Sequence, residues 1–234
     1  MSETPDSQNV TTLLTRFIAS ITAFREAGIL ISLFLIVGVI LLSGEEPRQA
    51  FSSSTNVQNL FRQIALLAIY ALGETFVIVA GGIDLSVGSL VAFAGVLSAI
   101  FLSQLHLSLA ATLALVLAAS AFVGICHAAM ISTIGLQPFI VTLGTMQVLR
   151  GVSLLMTDSI PIPITEENFI WLGNGRPWSI PTPFLILLVV VIVSVIVLHR
   201  TIHGQYMYAL GSNEEATRLS GVNVTKVKYI TYGL

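Results

Sequence analysis

The stretch VIVAGGIDLSVGSLVAF, residues 77–93, decides how this chain folds, because it places three glycines and the carboxylate of Asp84 between apolar segments. Adjacent glycines such as Gly81 and Gly82 have freely variable backbone angles, and each costs roughly 1 kcal/mol inside a helix. We therefore expect one helix to end at this pair. Asp84 can cap the next helix by accepting hydrogen bonds from its first free N–H groups, and Ser86 can share that role.

The surroundings of this break are apolar enough to lie in a membrane. Irregular backbone at that depth is tolerated only where protein or a water-filled cavity satisfies its polar groups, so we expect the break to face the centre of a bundle. One interpretation makes Asp84 a helix cap only. The other makes the break part of a translocation path, because intramembrane carboxylates are costly and discontinuous helices commonly line transport sites. The two are compatible, and they assign to the break Gly81, Gly82, Asp84, Ser86 and Gly88.

The composition of the whole chain agrees with a membrane location. Of its 234 residues 55% are hydrophobic and 9% are charged, with a mean hydropathy of +0.91. Soluble domains carry charge on about 25% of their residues, so we interpret the chain as a polytopic membrane protein surrounded by lipid. The ten basic residues are scattered and form no stripe, which excludes a nucleic acid partner.

Six apolar runs approach the roughly 20 residues that a membrane helix needs. They are residues 28–43, 61–80, 86–104, 108–132, 139–156 and 183–199. We predict an all-α bundle of about six complete membrane helices, broken at 81–88. Because YITYGL, residues 229–234, begins a seventh apolar segment, we expect the protein to continue beyond it. Residues 1–26 are predicted to form an N-terminal tail and residues 27–234 the membrane domain.

Lysine and arginine positions predict the orientation, since these residues are retained in the cytoplasm during insertion. With a cytoplasmic N-terminus, most of the basic residues fall inside and few outside: Arg16, Arg25, Arg200, Arg218, Lys226 and Lys228 inside, and Arg48, Arg62 and Arg176 outside. The loop 157–182 is then external. Its Trp171 and Trp178 are either interfacial anchors or a docking surface for an external partner.

Glu74 and Arg150 each lie near the middle of an apolar run. In this topology their helices are antiparallel and both residues are near the midplane, so an ion pair between them is one hypothesis. The alternative is that each side chain reaches cavity water or backbone separately.

The small residues of segment 108–132 follow one another at three- and four-residue steps, which predicts close approach of another helix. They are Ala114, Ala118, Ala121, Gly124 and Ala128. The lone cysteine, Cys126, excludes an intrachain disulfide and is interpreted as a small buried hydrophobe beside His127.

The segment 200–226 after the sixth run is polar and predicted to be cytoplasmic. Gly211 is expected to form a turn, Ser212 to cap a helix with Glu215 completing a capping box, and Gly221 to end that helix. The predicted helix covers about residues 213–220, and Thr225 is expected to begin the next one. So short a helix must be held by packing, so it is either a solvated connector or a docking helix for a cytoplasmic partner.

Three blocks of sequence resemble one known family. GGIDLSVGS at 81–89, PFIVTLGTMQVLRG at 138–151 and GQYMYALGSNEEATRLSGVNVTKVKY at 204–229 are similar to the membrane permease subunit of bacterial ABC importers of the ribose/xylose/galactose type. The resemblance implies a multi-pass protein of the bacterial inner membrane. The resemblance also implies three kinds of partner. They are a second permease subunit, in a homodimer or heterodimer, a periplasmic or extracellular sugar-binding protein, and a cytoplasmic ATP-binding ABC subunit.

The resemblance also implies a role for the cytoplasmic segment. By analogy, its short helix is a coupling helix that seats in the ATPase. The residues assigned to coupling are Ser212, Asn213, Glu214, Glu215, Ala216, Leu219 and Gly221.

No catalytic or cofactor motif is evident in the sequence. It has no G-x-x-x-x-G-K-[ST] phosphate loop, so we expect nucleotide to bind to another subunit. Nor does it show a catalytic Ser/His/Asp set or a metal-binding spacing of His and Cys. The predicted function is translocation of a monosaccharide or related polar solute by alternating access. The alternatives are an ion-coupled secondary transporter and a membrane scaffold that does not transport.

Overall fold

The computed structural model describes residues 27–234, so the predicted tail 1–26, with Arg16 and Arg25, lies outside the described residues. The described chain is helical and contains no strand. Its helices are α1 (Ala27–Leu42), α2 (Glu45–Ser52), α3 (Ser54–Val79), α4 (Val87–Ala99, extended by a π-helical turn Ile100–Gln104), α5 (Leu109–Thr133), α6 (Pro138–Met156), α7 (Glu167–Asn174), α8 (Thr182–Arg200), α9 (Ile202–Ser212), α10 (Glu214–Leu219) and α11 (Val224–Gly233).

Five of these helices are long and apolar enough to cross a membrane, namely α3, α4 with its π turn, α5, α6 and α8. The first predicted span, α1, has 16 residues and is shorter than the roughly 20 that a span needs. The prediction of a polytopic all-α membrane protein is confirmed.

The described chain divides into two compact units, with the division between residues 57 and 58. In the first unit, α1 packs against α2, whose first turn carries Glu45 and Glu46. In the second unit, α5 and α6 both pack against α4, and α11 packs along α5. All of the helix break and all of the predicted coupling segment lie in this second unit.

The glycine pair ends α3 as the sequence predicts. Gly81 has a φ of 80°, a conformation that favours glycine. Its N–H donates to the Ile78 carbonyl and the Gly82 N–H donates to the Val77 carbonyl, the two hydrogen bonds of a Schellman motif. Residues 82–86 form no regular secondary structure, and α4 begins at Val87. The interruption is therefore shorter than the predicted 81–88, and Gly88 is helical.

The predicted close approach along α5 occurs at Gly124. A side chain there would overlap the carbonyl oxygen of Tyr232, so only glycine lets the backbone of α11 lie so close. Ala128, one turn further along, is fully buried, whereas Ala114 and Ala118 are exposed. Cys126 is half-buried, so its interpretation as a buried hydrophobe is only partly correct.

The segment after α8 folds around a small apolar core. Leu198 at the end of α8, Met207 and Leu210 of α9, and Val224 and Val227 of α11 form this cluster. Phe76, Val79 and Ala80 at the end of α3 pack against it. The predicted coupling segment is therefore attached through apolar contacts to the turn that begins the helix break.

The prediction of a turn at Gly211 and a cap at Ser212 is wrong. Helix α9 continues through both residues to Ser212, and its last turn is completed by a hydrogen bond from the Asn213 N–H to the Ala209 carbonyl. Asn213 has the extended backbone of an N-cap, and its side chain accepts a hydrogen bond from the Ala216 N–H at 2.9 Å. Similarly, Asn223 rather than Thr225 caps α11, through the Lys226 N–H at 2.9 Å.

Candidate functional site

The segment 82–86 between α3 and α4 is hydrogen-bonded to the helix it follows. The N–H of Asp84 donates to the Glu74 carboxylate, ten residues earlier, at 3.1 Å. On the opposite side, the Thr142 hydroxyl of α6 donates to the Ile83 carbonyl at 3.3 Å. Two polar backbone groups of the break thus contact side chains of two spanning helices, and the Thr142 hydroxyl also lies 3.0 Å from the Pro138 carbonyl oxygen of its own helix.

Asp84 orders the segment but does not cap α4 in the predicted way. Its Oδ1 atom accepts hydrogen bonds from the Ser86 N–H at 2.7 Å and the Ser86 hydroxyl at 2.6 Å. Ser86 is the N-cap residue and is fully buried, and its own side chain caps no N–H group of α4. Because Asp84 lies two residues before the N-cap, its carboxylate reaches the N–H of the cap residue, as in an Asx-turn, and not the first turn of the helix.

Two side chains that the sequence interpretation did not include complete the site. The Nδ1 atom of His127 in α5 is 3.7 Å from Asp84 Oδ2, and His127 is 1% exposed. The ring of Tyr232 in α11 packs edge-on against His127, with ring centroids 6.1 Å apart. We call Glu74, Asp84, Ser86, His127 and Tyr232 the break cluster.

The break cluster holds several polar atoms without partners. Both ring nitrogens of His127, the Tyr232 hydroxyl and Glu74 Oε2 are buried and have no hydrogen bond partner within the described residues. Since buried polar groups in proteins are nearly always hydrogen-bonded, these atoms mark a place where water or a polar solute can bind. A signal for His127 was available in the sequence, because any ionisable residue inside an apolar run is a candidate functional residue.

Glu74 and Arg150 do not form the ion pair that was one of the two hypotheses for them. Glu74 accepts its hydrogen bond from the Asp84 N–H, and the structure shows no ion pair to Arg150 among residues 27–234. The physical reason is direction around the helix axis, since equal depth in a membrane does not make two side chains face each other. Arg150 instead lines a groove between α4 and α6.

The coupling segment contacts the break through two glycines. A Cβ atom on Gly81 would lie 3.2 Å from the Cα of Gly211, and a Cβ atom on Gly211 would overlap the Val79 carbonyl oxygen. The backbone of α9 therefore contacts the turn that joins α3 to residues 82–86. No intervening side chain separates the two elements at this point.

The short helix α10 is held at its ends. It ends in a Schellman motif, in which Gly221, with φ of 85°, donates to the Arg218 carbonyl and Val222 donates to the Thr217 carbonyl. The predicted stop at Gly221 is confirmed by this geometry. Lys228 of α11 makes an ion pair with Glu214 at 2.7 Å.

The exposed surface of α10 carries charged side chains and one large apolar side chain, Leu219. Thr217 is buried against the protein, whereas Leu219 is 79% exposed. Glu215 and Arg218 form an exposed ion pair on the same helix. A helix held firmly on one side and carrying a free apolar side chain on the other is suited to docking, although this role stays a prediction.

A cavity of about 340 Å³ joins the break to the coupling segment. It is lined by Gly81 and Gly82, by the turn 135–138 between α5 and α6, and by Glu214 and Lys228. Among residues 27–234, no group of three or more His, Cys, Asp or Glu side chains is arranged to hold a metal ion.

The fold and this site define a class: a polytopic helical membrane protein with a buried polar break between two spans and a short, capped helix packed against that break. The chain belongs to the family described as branched-chain amino acid transport system / permease component, which matches residues 56–234. The match covers α3 from residue 56 and all of α4 to α11, and so includes the whole break cluster.

Curated relatives are similar over most of the chain. The ribose import permease protein RbsC of Escherichia coli is 40% identical over 204 residues, which are 86% of this chain and 63% of that protein. The protein of the same name from Bacillus subtilis is 37% identical over 90% of this chain and 64% of its own length. The inner membrane ABC transporter permease protein YjfF of Escherichia coli is 37% identical over 79% of this chain and 57% of its own length. The chain thus spans less than two thirds of these relatives, and no solved structure matches it.

Proposed function

We propose that this chain is the membrane permease subunit of an ATP-driven ABC importer that carries a monosaccharide or a related small polar solute into the cell. The support comes from the permease family and from relatives named as ribose import permeases. The observation that carries the proposal is the backbone contact of Gly211 with the turn at Val79 and Gly81, because it links a docking helix to a polar break in the membrane bundle.

In the proposed mechanism, a cytoplasmic ATP-binding subunit receives α10 through Asn213, Glu214, Glu215, Ala216 and Leu219. ATP-driven movement of that subunit displaces α9 and α10 together, since they share the apolar core with α11. The displacement reaches Gly81 at the Gly211 contact and moves the segment 82–86 relative to His127 and Tyr232. An opening on the inner side follows, while the outer side closes.

The proposed orientation places the N-terminus and the coupling segment in the cytoplasm and the loop 157–182 outside, with 1–26 as a cytoplasmic tail. An external sugar-binding protein then delivers solute to the loop side, where Trp171 and Trp178 are exposed. A second permease subunit completes the path. Binding within the membrane needs few contacts, because a site that held the solute tightly would slow its release.

The proposal is tested by reconstituting the complete gene product with its ATPase and sugar-binding protein in liposomes. We expect uptake of labelled ribose or a related sugar that requires ATP and the binding protein. A matched control uses an ATPase in which the phosphate-loop lysine is replaced, which removes nucleotide hydrolysis. Uptake that continues with this control, or without ATP, contradicts the proposal.

A second candidate is an ion-coupled secondary transporter, which one observation favours. The buried Asp84 and His127 side chains face each other at 3.7 Å, and such pairs form proton relays in pumps and transporters. The discriminating result is uptake that survives omission of the ATPase and collapses when a protonophore dissipates the proton gradient.

A further inference from the structure

A groove runs along the contact between α4 and α6, away from the break cluster. One cavity of about 430 Å³ is bounded by Gly88 and Ser89 of α4 and by Arg150 of α6. A second cavity of about 400 Å³ reaches the segment 159–164 of the loop after α6. The two cavities share Ala92, Val96, Leu154 and Thr157 as walls, so they form one continuous groove, which we call the α4–α6 groove.

Arg150 is the charged group of this groove. It lies within α6, six residues before Met156, and its exposed side chain has no ion pair or hydrogen bond within residues 27–234. An unpaired cation inside a membrane-spanning helix is costly unless it faces water or a polar ligand. The guanidinium offers five N–H donors, so a groove that contains it is suited to a solute rich in hydroxyl oxygens.

The other surroundings of Arg150 leave room for such a solute. A side chain on Gly88 would meet nothing within 4 Å, and Ser89 beside it is half-buried. Each cavity has a volume within the roughly 300–1,000 Å³ of small-molecule sites. The groove leads from the loop side of the protein to Gly88, two residues after the buried Ser86 of the break cluster.

We infer that the α4–α6 groove is the part of the sugar path that this chain contributes, and that Arg150 donates hydrogen bonds to the hydroxyl groups of a passing monosaccharide. The inference rests on the proposed function and adds a location and a contact residue to it. Sugar hydroxyl groups carry only partial charges, so they bind to a guanidinium more weakly than a phosphate does. Weak binding allows the release of the sugar that transport requires.

Water access is the first test, and the chain allows it because Cys126 is its only cysteine. In a Cys126→Ser background, Ser89→Cys places a thiol in the groove, and Val148→Cys places one on an exposed part of α6 outside the groove lining. With a charged, membrane-impermeant thiol reagent acting on the reconstituted complex, we expect Ser89→Cys to react ~10-fold faster than Val148→Cys, since thiol reactivity requires access and the thiolate form. Added ribose should slow the Ser89→Cys reaction. Equal rates, or a rate that no transported sugar changes, overturn the inference.

Uptake is the second test. Arg150→Gln should lower ATP-dependent uptake about 10-fold and Arg150→Lys less, because lysine keeps the charge but loses the planar fork of donors. Arg48→Gln, on the exposed surface of α2, is the control and should transport as the wild type does. A wild-type complex without ATP-dependent uptake overturns the proposed function itself. Normal uptake by Arg150→Gln overturns only the groove.

Discussion

Asp84 and His127, which are far apart in the sequence, face each other at 3.7 Å across the helix break. The segment 82–86 supplies the carboxylate and α5 supplies the imidazole. Asp84 is 12% exposed through its side chain, so it points into the protein and not toward lipid. The neighbouring spanning helix α5 therefore packs against the break and covers its carboxylate.

Replacing Asp84 separates its structural role from its charge. In Asp84→Ala the N–H and the hydroxyl of the fully buried Ser86 lose their acceptor, which should lower the free energy of unfolding by about 1–3 kcal/mol. Asp84→Asn keeps an oxygen acceptor at this position and should be less destabilised. The measurement is the apparent melting temperature of both variants in detergent. Equal melting temperatures would show that the Ser86 hydrogen bonds do not stabilise the break.

The end of α3 and the end of α10 were predictable from sequence because each depends on the backbone conformation of a single residue. Gly81 and Gly221 have positive φ angles of 80° and 85°, a requirement that glycine meets at no steric cost. The start of α10 was predicted one residue too early. Ser212 and Asn213 are both good cap residues, and the choice between them depends on how far α9 continues against α3, which is a tertiary contact.

The corrected cap gives a direct comparison of two neighbouring residues. Asn213→Ala removes the acceptor of the Ala216 N–H and should destabilise α10 by about 1 kcal/mol. Amide hydrogen exchange within Glu214–Leu219 should then be about fivefold faster. Ser212→Ala, at the end of α9, is the matched control and should leave exchange unchanged. Faster exchange in Ser212→Ala but not in Asn213→Ala would favour the original assignment of the cap.

The break cluster was only half predictable. Asp84 and Ser86 stand out beside the glycine pair, whereas His127 and Tyr232 belong to other helices and reach the site only because α5 and α11 approach at Gly124. Arg150 shows the same limit in another form. Hydropathy gives the depth of a residue in a membrane helix, but the direction of its side chain depends on which helices pack around it.

His203 makes the stability of the segment 200–226 depend on pH. Burial lowers the pKa of its imidazole below the ordinary 6.5, so between these two values the unfolded chain binds more protons than the folded chain. Stability is fully present above about pH 6.5 and decreases as pH falls through the folded pKa. Thermal unfolding at pH 5 and pH 8 should show a smaller difference in His203→Gln than in the wild type.

The control for this pH effect is Gln205, an exposed side chain of the same helix, α9, that does not titrate. Gln205→Ala should keep the wild-type difference between pH 5 and pH 8 because it removes no titrating group. An equal reduction of this difference in Gln205→Ala and His203→Gln would show that burial of His203 is not its cause.

Leu219 is the side chain through which α10 should hold an ATPase. It is 79% exposed, and burying it in a partner would remove apolar surface from water. Leu219→Asp should weaken association with the ATPase by about tenfold or more, whereas Leu219→Met should not. The measurement is the dissociation constant of the labelled ATPase for each of the two variants in nanodiscs. Wild-type affinity of Leu219→Asp would place the docking surface elsewhere.

The contact between Gly211 and the turn at Val79 is the link on which transport by this chain is proposed to depend. An added methyl group at Gly211 would overlap the Val79 carbonyl oxygen, whereas one at Gly144 of α6 would meet nothing within 4 Å. The decisive measurement is the number of sugar molecules imported per ATP hydrolysed by the reconstituted complex. Gly211→Ala should hydrolyse ATP but import about tenfold fewer molecules per ATP than Gly144→Ala. An unchanged ratio in Gly211→Ala would contradict transmission of the ATPase movement through this contact.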